Sequence, residues 1–187
     1  MTTVGQRYLS RLNDGRNVWI NGELVSDVAS HPAFKGPVQT FANLLDLQDQ
    51  PDTKNLLTYL PEGSDKRANL HFLVPESKED VYRKSKAFRI WSDQTFGVMS
   101  RLSEYSRCLL TGWYASRHLY GDKKFAEKIE RYYIYSRDND LLSTAAGHDP
   151  QIDRSKSSSQ QGDPETGVHI VRETEEGIIV RGARLLA

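Results

Sequence analysis

Two stretches of this chain concentrate side chains that can do chemistry. Arg101 and Tyr105 stand four residues apart at an expected helix start, a spacing that puts both on one face. A guanidinium can clamp a carboxylate or phenolate there, and a phenol can hydrogen-bond to the same oxygen. The plainer alternative is an exposed arginine lying on an aromatic stem, with Glu104 paired to Arg101 or Arg107 at the surface. The second stretch, DPQIDRS, runs from Asp149 to Ser155 and gathers polar groups in a loop. Loops held by a scaffold often carry function, and the backbone and side chains of this one can meet a polar cofactor. Read by composition alone it is a turn-rich linker.

The other reactive residue types are scattered. His31, His71, His118, His148 and His169 show no metal-ligand spacing such as HExxH, and a set of this kind is structural or superficial. There is no GxGxxG, no P-loop and no nucleophile elbow in the sequence. Cys108 is the single cysteine, which excludes an intrachain disulfide and a Cys-only metal cluster. It lies in the apolar run Cys108-Leu109-Leu110, so it is expected to be buried and inert. The aromatic residues at 113, 114, 120, 132, 133 and 135 are read as helix-packing positions.

Bulk properties narrow the partners. Lys+Arg and Asp+Glu are 25 each, so no global field draws the chain to nucleic acid or an anionic membrane. No apolar run approaches the roughly 18 residues of a membrane span, and the first ten residues hold no apolar signal core. A cytoplasmic location is the default expectation. With 37% hydrophobic and 27% charged residues in 187, the chain can bury one sizeable core.

The elements that must position these residues are legible in part. Thr2 or Thr3 can cap a short helix through Leu12, stopped by Asn13-Asp14-Gly15. Residues 18–20 and 23–25 around Asn21-Gly22 read as a tight β-hairpin. Val38, Phe41, Leu44 and Leu45 are spaced for a helix over 38–49. Residues 57–59 and 71–74 are short apolar stretches able to pair across a polar turn. Ser77 and Asp80 open a helix that would present Val81, Ser85, Phe88 and Trp91 on one face. Two further helices are expected over about 103–120 and 123–140. After a Ser/Gly/Asp/Pro-rich stretch, 168–172 and 177–181 form a β-hairpin. A lone hairpin is marginal in water, so a β-domain is expected to begin near residue 150 and to be incomplete here. The alternative is a hairpin folded back on the helices.

Several segments, in order, resemble one family, the flavin-dependent 4-hydroxyphenylacetate 3-hydroxylases. RYLSRLNDGRNVWINGELVSDVASHPAF is similar to the family's N-terminal signature, and TFANLLDLQDQPDTKNLLTY to the helix that follows. MSRLSEY takes the place of its Arg-x-x-x-Tyr segment, DPQIDRS that of its Asn-Pro-Gln-Val-Asp-Arg-Ser loop, and ETEEGIIVRGARLLA that of a strand pair. The resemblance covers nearly the whole chain. It implies a mainly α, acyl-CoA dehydrogenase-like fold: an N-terminal helical domain over 1–145, with a small β-hairpin, and the flavin-contacting loop and first strands of a middle β-barrel over 146–187. It implies the oxygenase component of a two-component monooxygenase, in which a separate NAD(P)H-flavin reductase supplies reduced FAD. Molecular oxygen is then used to hydroxylate a phenol next to its hydroxyl, and the full-length protein forms a homotetramer. Arg101 and Tyr105 would hold the phenol oxygen, while Ala145, Gln151, Ile152, Asp153 and Arg154 would line the flavin. Where the family's hydroxylases often carry a histidine before this loop, Ala145 stands here, with His148 three residues later, which points to a phenol other than 4-hydroxyphenylacetate. The related 4-hydroxybutyryl-CoA dehydratases need cluster cysteines near positions held here by Val98 and Leu102. A non-catalytic interaction module and an acyl-CoA dehydrogenase-type flavoprotein are the competing readings.

Overall fold

Capping chemistry starts the first helix. In the computed structural model, which describes residues 2–97, 103–157, 160–163 and 165–185, α1 spans Val4–Arg11. The Thr3 hydroxyl accepts from the Gln6 amide, and the Gln6 side chain accepts from the Thr3 amide, a reciprocal capping box. The next two free amides of this turn are taken by carboxylates from elsewhere. Val4 donates to Asp49 at 3.0 Å and Gly5 to Asp46 at 2.7 Å. Gly5 is required at this crossing, because a Cβ there would stand 2.4 Å from the Ala42 carbonyl oxygen. Thus α1 lies directly on α2, Lys35–Asp46, whose Ala42, Leu44 and Leu45 are buried.

Between them runs the hairpin β1 (Val18–Ile20) and β2 (Glu23–Val25), antiparallel with Val18 opposite Val25. Asn21 and Gly22 both take positive φ, 51° and 82°, as the primed turn requires.

A short helix, α3 (Lys54–Leu57), leads into β3 (Thr58–Tyr59). Its partner is β4, Ala68–Asn69, and not the apolar run 71–74. The reason lies in the carbonyls of that run. Residues 70–72 form a 3-10 turn capped by the Asn69 side chain, and the carbonyls that follow are claimed by side chains. Lys84 donates to His71 at 3.1 Å and to Leu73 at 2.6 Å. The Phe72 carbonyl accepts from the Tyr133 hydroxyl at 2.5 Å and from the Tyr59 hydroxyl at 3.3 Å. A carbonyl so occupied has little left for a β ladder.

The same contacts turn α4, Lys78–Gln94, which Ser77 caps as expected. Its inward face is Lys84, Ala87 and Trp91, while Val81 and Ser85 are exposed. The apolar pattern had placed Val81 inward. A buried lysine that satisfies two carbonyls sets the rotation instead. Next come α5 (Ser103–Ala115), a 3-10 turn at Arg117–Leu119, and α6 (Lys123–Asp138), capped by Asp122. The helix expected to reach residue 120 therefore ends at Ala115. The core gathers Val4, Leu44, Leu45, Leu57, Leu70, Ala87 and Trp91, and a second cluster joins Phe72, Leu110 and Tyr133.

His71 sits between these clusters with no exposed surface, stacked on Phe88 at 4.9 Å and edge-on to Trp91 at 4.8 Å. Burial, aided by the charges of Arg107 and Lys84, holds its imidazole well below the ordinary 6.5. The fold therefore keeps it neutral. As pH falls below about 6.5 the unfolded chain takes up a proton that the folded one refuses, so stability drops by up to about 1.4 kcal/mol per pH unit. Above that pH the effect is absent. Thermal melts between pH 7.5 and 5 are expected to show this slope, and His71→Phe to flatten it. The carboxylates held below their usual 3.8, Asp27 and Asp80 among them, act only at still lower pH.

The chain divides into two units, Met1–Leu142 and Ser143–Ala187. The second unit consists of an irregular stretch and the hairpin β5 (His169–Thr174) and β6 (Gly177–Arg181), with a bulge between Ile170 and Arg172. Among the described residues no helix is long and apolar enough to cross a membrane.

Candidate functional site

In the helical unit, α5 presents two different faces. Arg107, Leu110 and Thr111 point into the core. Tyr105, Leu109 and Trp113, at i, i+4 and i+8, are 54%, 37% and 47% exposed and form an apolar, aromatic stripe. The Tyr105 side chain thus stands on the outer face of the helix. Arg101 lies outside the described residues, so its position on this stripe rests on spacing alone.

The pairing of Arg107 with Glu104 at the surface is corrected. Arg107 is 1% exposed, and its Nη2 is 2.8 Å from Asp140. It also donates to the carbonyls of Leu141 at 3.0 Å and Asp140 at 3.2 Å. Glu104 acts on it through charge. Sequence could not show this, since the partners are 33 and 34 positions away. Cys108 is half-buried, and burial pushes its thiol up. That favours the inert thiol.

In the second unit, residues 151–154 form a turn whose shape is held from within. The Asp153 carboxylate accepts from the Ser155 amide at 3.0 Å and hydroxyl at 2.6 Å, and lies 3.0 Å from the Lys156 ammonium. Ser155 above all, then Lys156, holds this carboxyl below the usual carboxylate range. Asp153 is therefore spent on the loop itself. Gln161 closes the turn: its oxygen accepts from the Asp153 amide at 2.8 Å, and its nitrogen donates to the Asp153 carbonyl at 2.9 Å. Gln151, Ile152 and Arg154 point outward, Ile152 with 69% of its surface exposed. Ala145 is exposed as well. The start of the loop is tied to the strand end by paired bonds between His148 and Leu185 and by an Arg184–Asp149 ion pair at 2.8 Å. Gln161 and Arg184 were not singled out from sequence. A glutamine in a polar stretch carries no signal until the turn closes on it.

The comparisons with known proteins bear on both regions at once. A family model described as 4-hydroxyphenylacetate 3-hydroxylase N terminal matches residues 4–187. The chain belongs to the 4-hydroxyphenylacetate 3-hydroxylase family. It is 42% identical over 188 residues to the 4-hydroxyphenylacetate 3-monooxygenase oxygenase component of Thermus thermophilus, covering 100% of this chain and 38% of that protein. It is 31% identical to the oxygenase component of 4-nitrophenol 2-monooxygenase of Rhodococcus sp, over 98% of this chain and 35% of the relative. The chain thus spans little more than a third of the length of these relatives.

Among solved structures, an oxygenase component of 4-hydroxyphenylacetate 3-monooxygenase complexed with FAD and 4-hydroxyphenylacetate superposes with a TM-score of 0.88 at 42% identity, covering 96% of this chain and 37% of that one. An oxygen-tolerant archaeal 4-hydroxybutyryl-CoA dehydratase from N. maritimus shares the fold, with a TM-score of 0.79 at 23% identity, covering 98% of this chain and 37% of that one. The mainly α fold expected for the family, with its trailing strands, is the one observed.

Proposed function

We propose that this chain supplies the substrate-binding helix and the flavin-contacting loop of an oxygenase component that uses reduced FAD and molecular oxygen to hydroxylate a phenol ortho to its hydroxyl. The observation that carries the reading is the family match over 4–187, together with a structural relative whose complex holds FAD and 4-hydroxyphenylacetate. The residues present fit such a group. The loop shows outward an amide (Gln151), an aliphatic side chain (Ile152) and a guanidinium (Arg154), suited to an amide-rich ring, its apolar edge and an anionic tail. Ala145 adds room beside it.

When bound, reduced FAD supplies the activation of oxygen, and the protein orients and shields. Tyr105 donates its phenol proton to the substrate oxygen, and Arg101 places a positive charge beside it. Both stabilise phenolate character and so enrich the carbon next to it. Leu109 and Trp113, along the stripe from Tyr105, would flank the aromatic ring and exclude water. A small exposed Ala145 in place of histidine suits a phenol differing from 4-hydroxyphenylacetate. A flavin reductase and tetrameric assembly belong to the same proposal, as does a cytoplasmic location.

The test is a graft. This chain replaces the matching part of the Thermus thermophilus oxygenase component, and a flavin reductase with NADH supplies reduced FAD. Hydroxylation of at least one simple phenol is expected, with Tyr105→Phe lowering kcat about 10- to 100-fold, as for loss of one oriented donor. Oxygen consumption without any hydroxylated product, across a panel of phenols, would overturn the reading.

A further inference from the structure

The buried guanidinium of Arg107 is a costly way to fill a core. It is flanked by the rings of Phe72 at 5.1 Å and Trp91 at 5.5 Å, and burial lowers its hold on the proton. A well-packed apolar side chain in such a place is often as stable or more so. What a guanidinium offers instead is direction, since its planar fork fixes several acceptors at once. Here the partners are consecutive: Nε donates to the Leu141 carbonyl and Nη2 to the Asp140 carbonyl, and Nη2 also forms an ion pair with the Asp140 carboxylate. They lie just past the end of α6, where the chain has left the helix ladder and these carbonyls are met by a side chain instead. Asp140 takes a left-handed φ of 50°, and its second oxygen accepts from Gln48, just beyond α2, at 2.6 Å. The Leu141 amide donates to Ser136 at 2.9 Å, and Leu142 packs on the core. Two residues before Arg107 on the same helix is Tyr105.

We propose that Arg107 is a positioning residue: it registers Asp140–Leu142, the end of the helical unit, on α5, so that the helix bearing Tyr105 and the point where the chain sets out for the cofactor loop are held as one piece. This rests on the functional reading above for its purpose, but not for its geometry. Lysine keeps the charge and loses the fork, so Arg107→Lys separates positioning from simple charge pairing.

Amide hydrogen exchange on the whole 187-residue chain decides it. In Arg107→Lys the amides of Asp140 and Leu141 are expected to exchange at least about tenfold faster, with those of Leu44 and Leu45 in α2 changed less than about twofold. Uniform acceleration across all of these, or no change at Asp140 and Leu141, overturns the proposal. If Arg107→Lys does not fold, Gln48→Ala releases Asp140 from its other anchor. Exit amides that stay within twofold show the Arg107 fork holding the exit alone, whereas loss of protection equal to that of the core overturns it.

In the grafted oxygenase, Arg107→Lys is expected to raise the share of oxygen consumed without product at least about threefold, with flavin affinity unchanged. Coupling equal to that of the parent graft counts against the positioning role. A parent graft that makes no product fails the functional reading alone, and the exchange comparison still decides Arg107.

Discussion

Asp140→Asn is expected to destabilise the helical unit by about 3–5 kcal/mol, the usual cost of stripping the partner from a buried charge. The substitution is nearly isosteric, and asparagine accepts the left-handed backbone that Asp140 adopts, so strain does not confuse the result. What changes is hydrogen bonding and charge. Asp140 offers one oxygen to Arg107 and the other to Gln48, both donors. An amide has one oxygen, so one of these donors must face an NH2 group. Arg107, 1% exposed, then loses its ion pair and keeps the carbonyls of Asp140 and Leu141 and the more distant charge of Glu104. A drop in melting temperature of roughly 10 °C follows from that loss. Thermal denaturation at pH 7 measures it, and a shift under about 2 °C would mean the guanidinium is held without the Asp140 charge.

Trp91→Ala should be equally severe, about 3–5 kcal/mol, and Trp91→Phe mild, no more than about 2. Trp91 is 1% exposed, belongs to the main core cluster and supports both the His71 ring and the Arg107 guanidinium. Among the described residues its indole N–H has no hydrogen-bond partner, so a phenyl ring forfeits volume but no bond seen there. Denaturant titrations of the two variants are expected to differ by at least about 1 kcal/mol. Equal losses would show that the N–H, not the ring, matters at this site.

These two residues mark where sequence reading succeeds and stops. Trp91 falls on a helical spacing and is legible as core. The rotation of its helix was not, because Lys84 counts as polar in any pattern and is buried only when it meets the carbonyls of His71 and Leu73. The run at 71–74 looks like a strand for the same reason: its apolar side chains are visible in sequence, while the claims on its carbonyls are not. Tyr105 and the 151–154 loop were singled out by type and order. That Asp153 is consumed by its own turn, with Gln161 closing it, required the folded loop.

The sequence by itself determined the local devices: the Thr3 and Ser77 caps, the Asn21-Gly22 hairpin, the helix order and the family signatures, since each depends on neighbours a few residues apart. Only the tertiary structure decided the neutral His71, the buried Lys84 and the Arg107–Asp140–Gln48 junction at the end of the helical unit. Each of those joins residues far apart in the chain, and a buried polar group takes its meaning from the partner that burial brings to it.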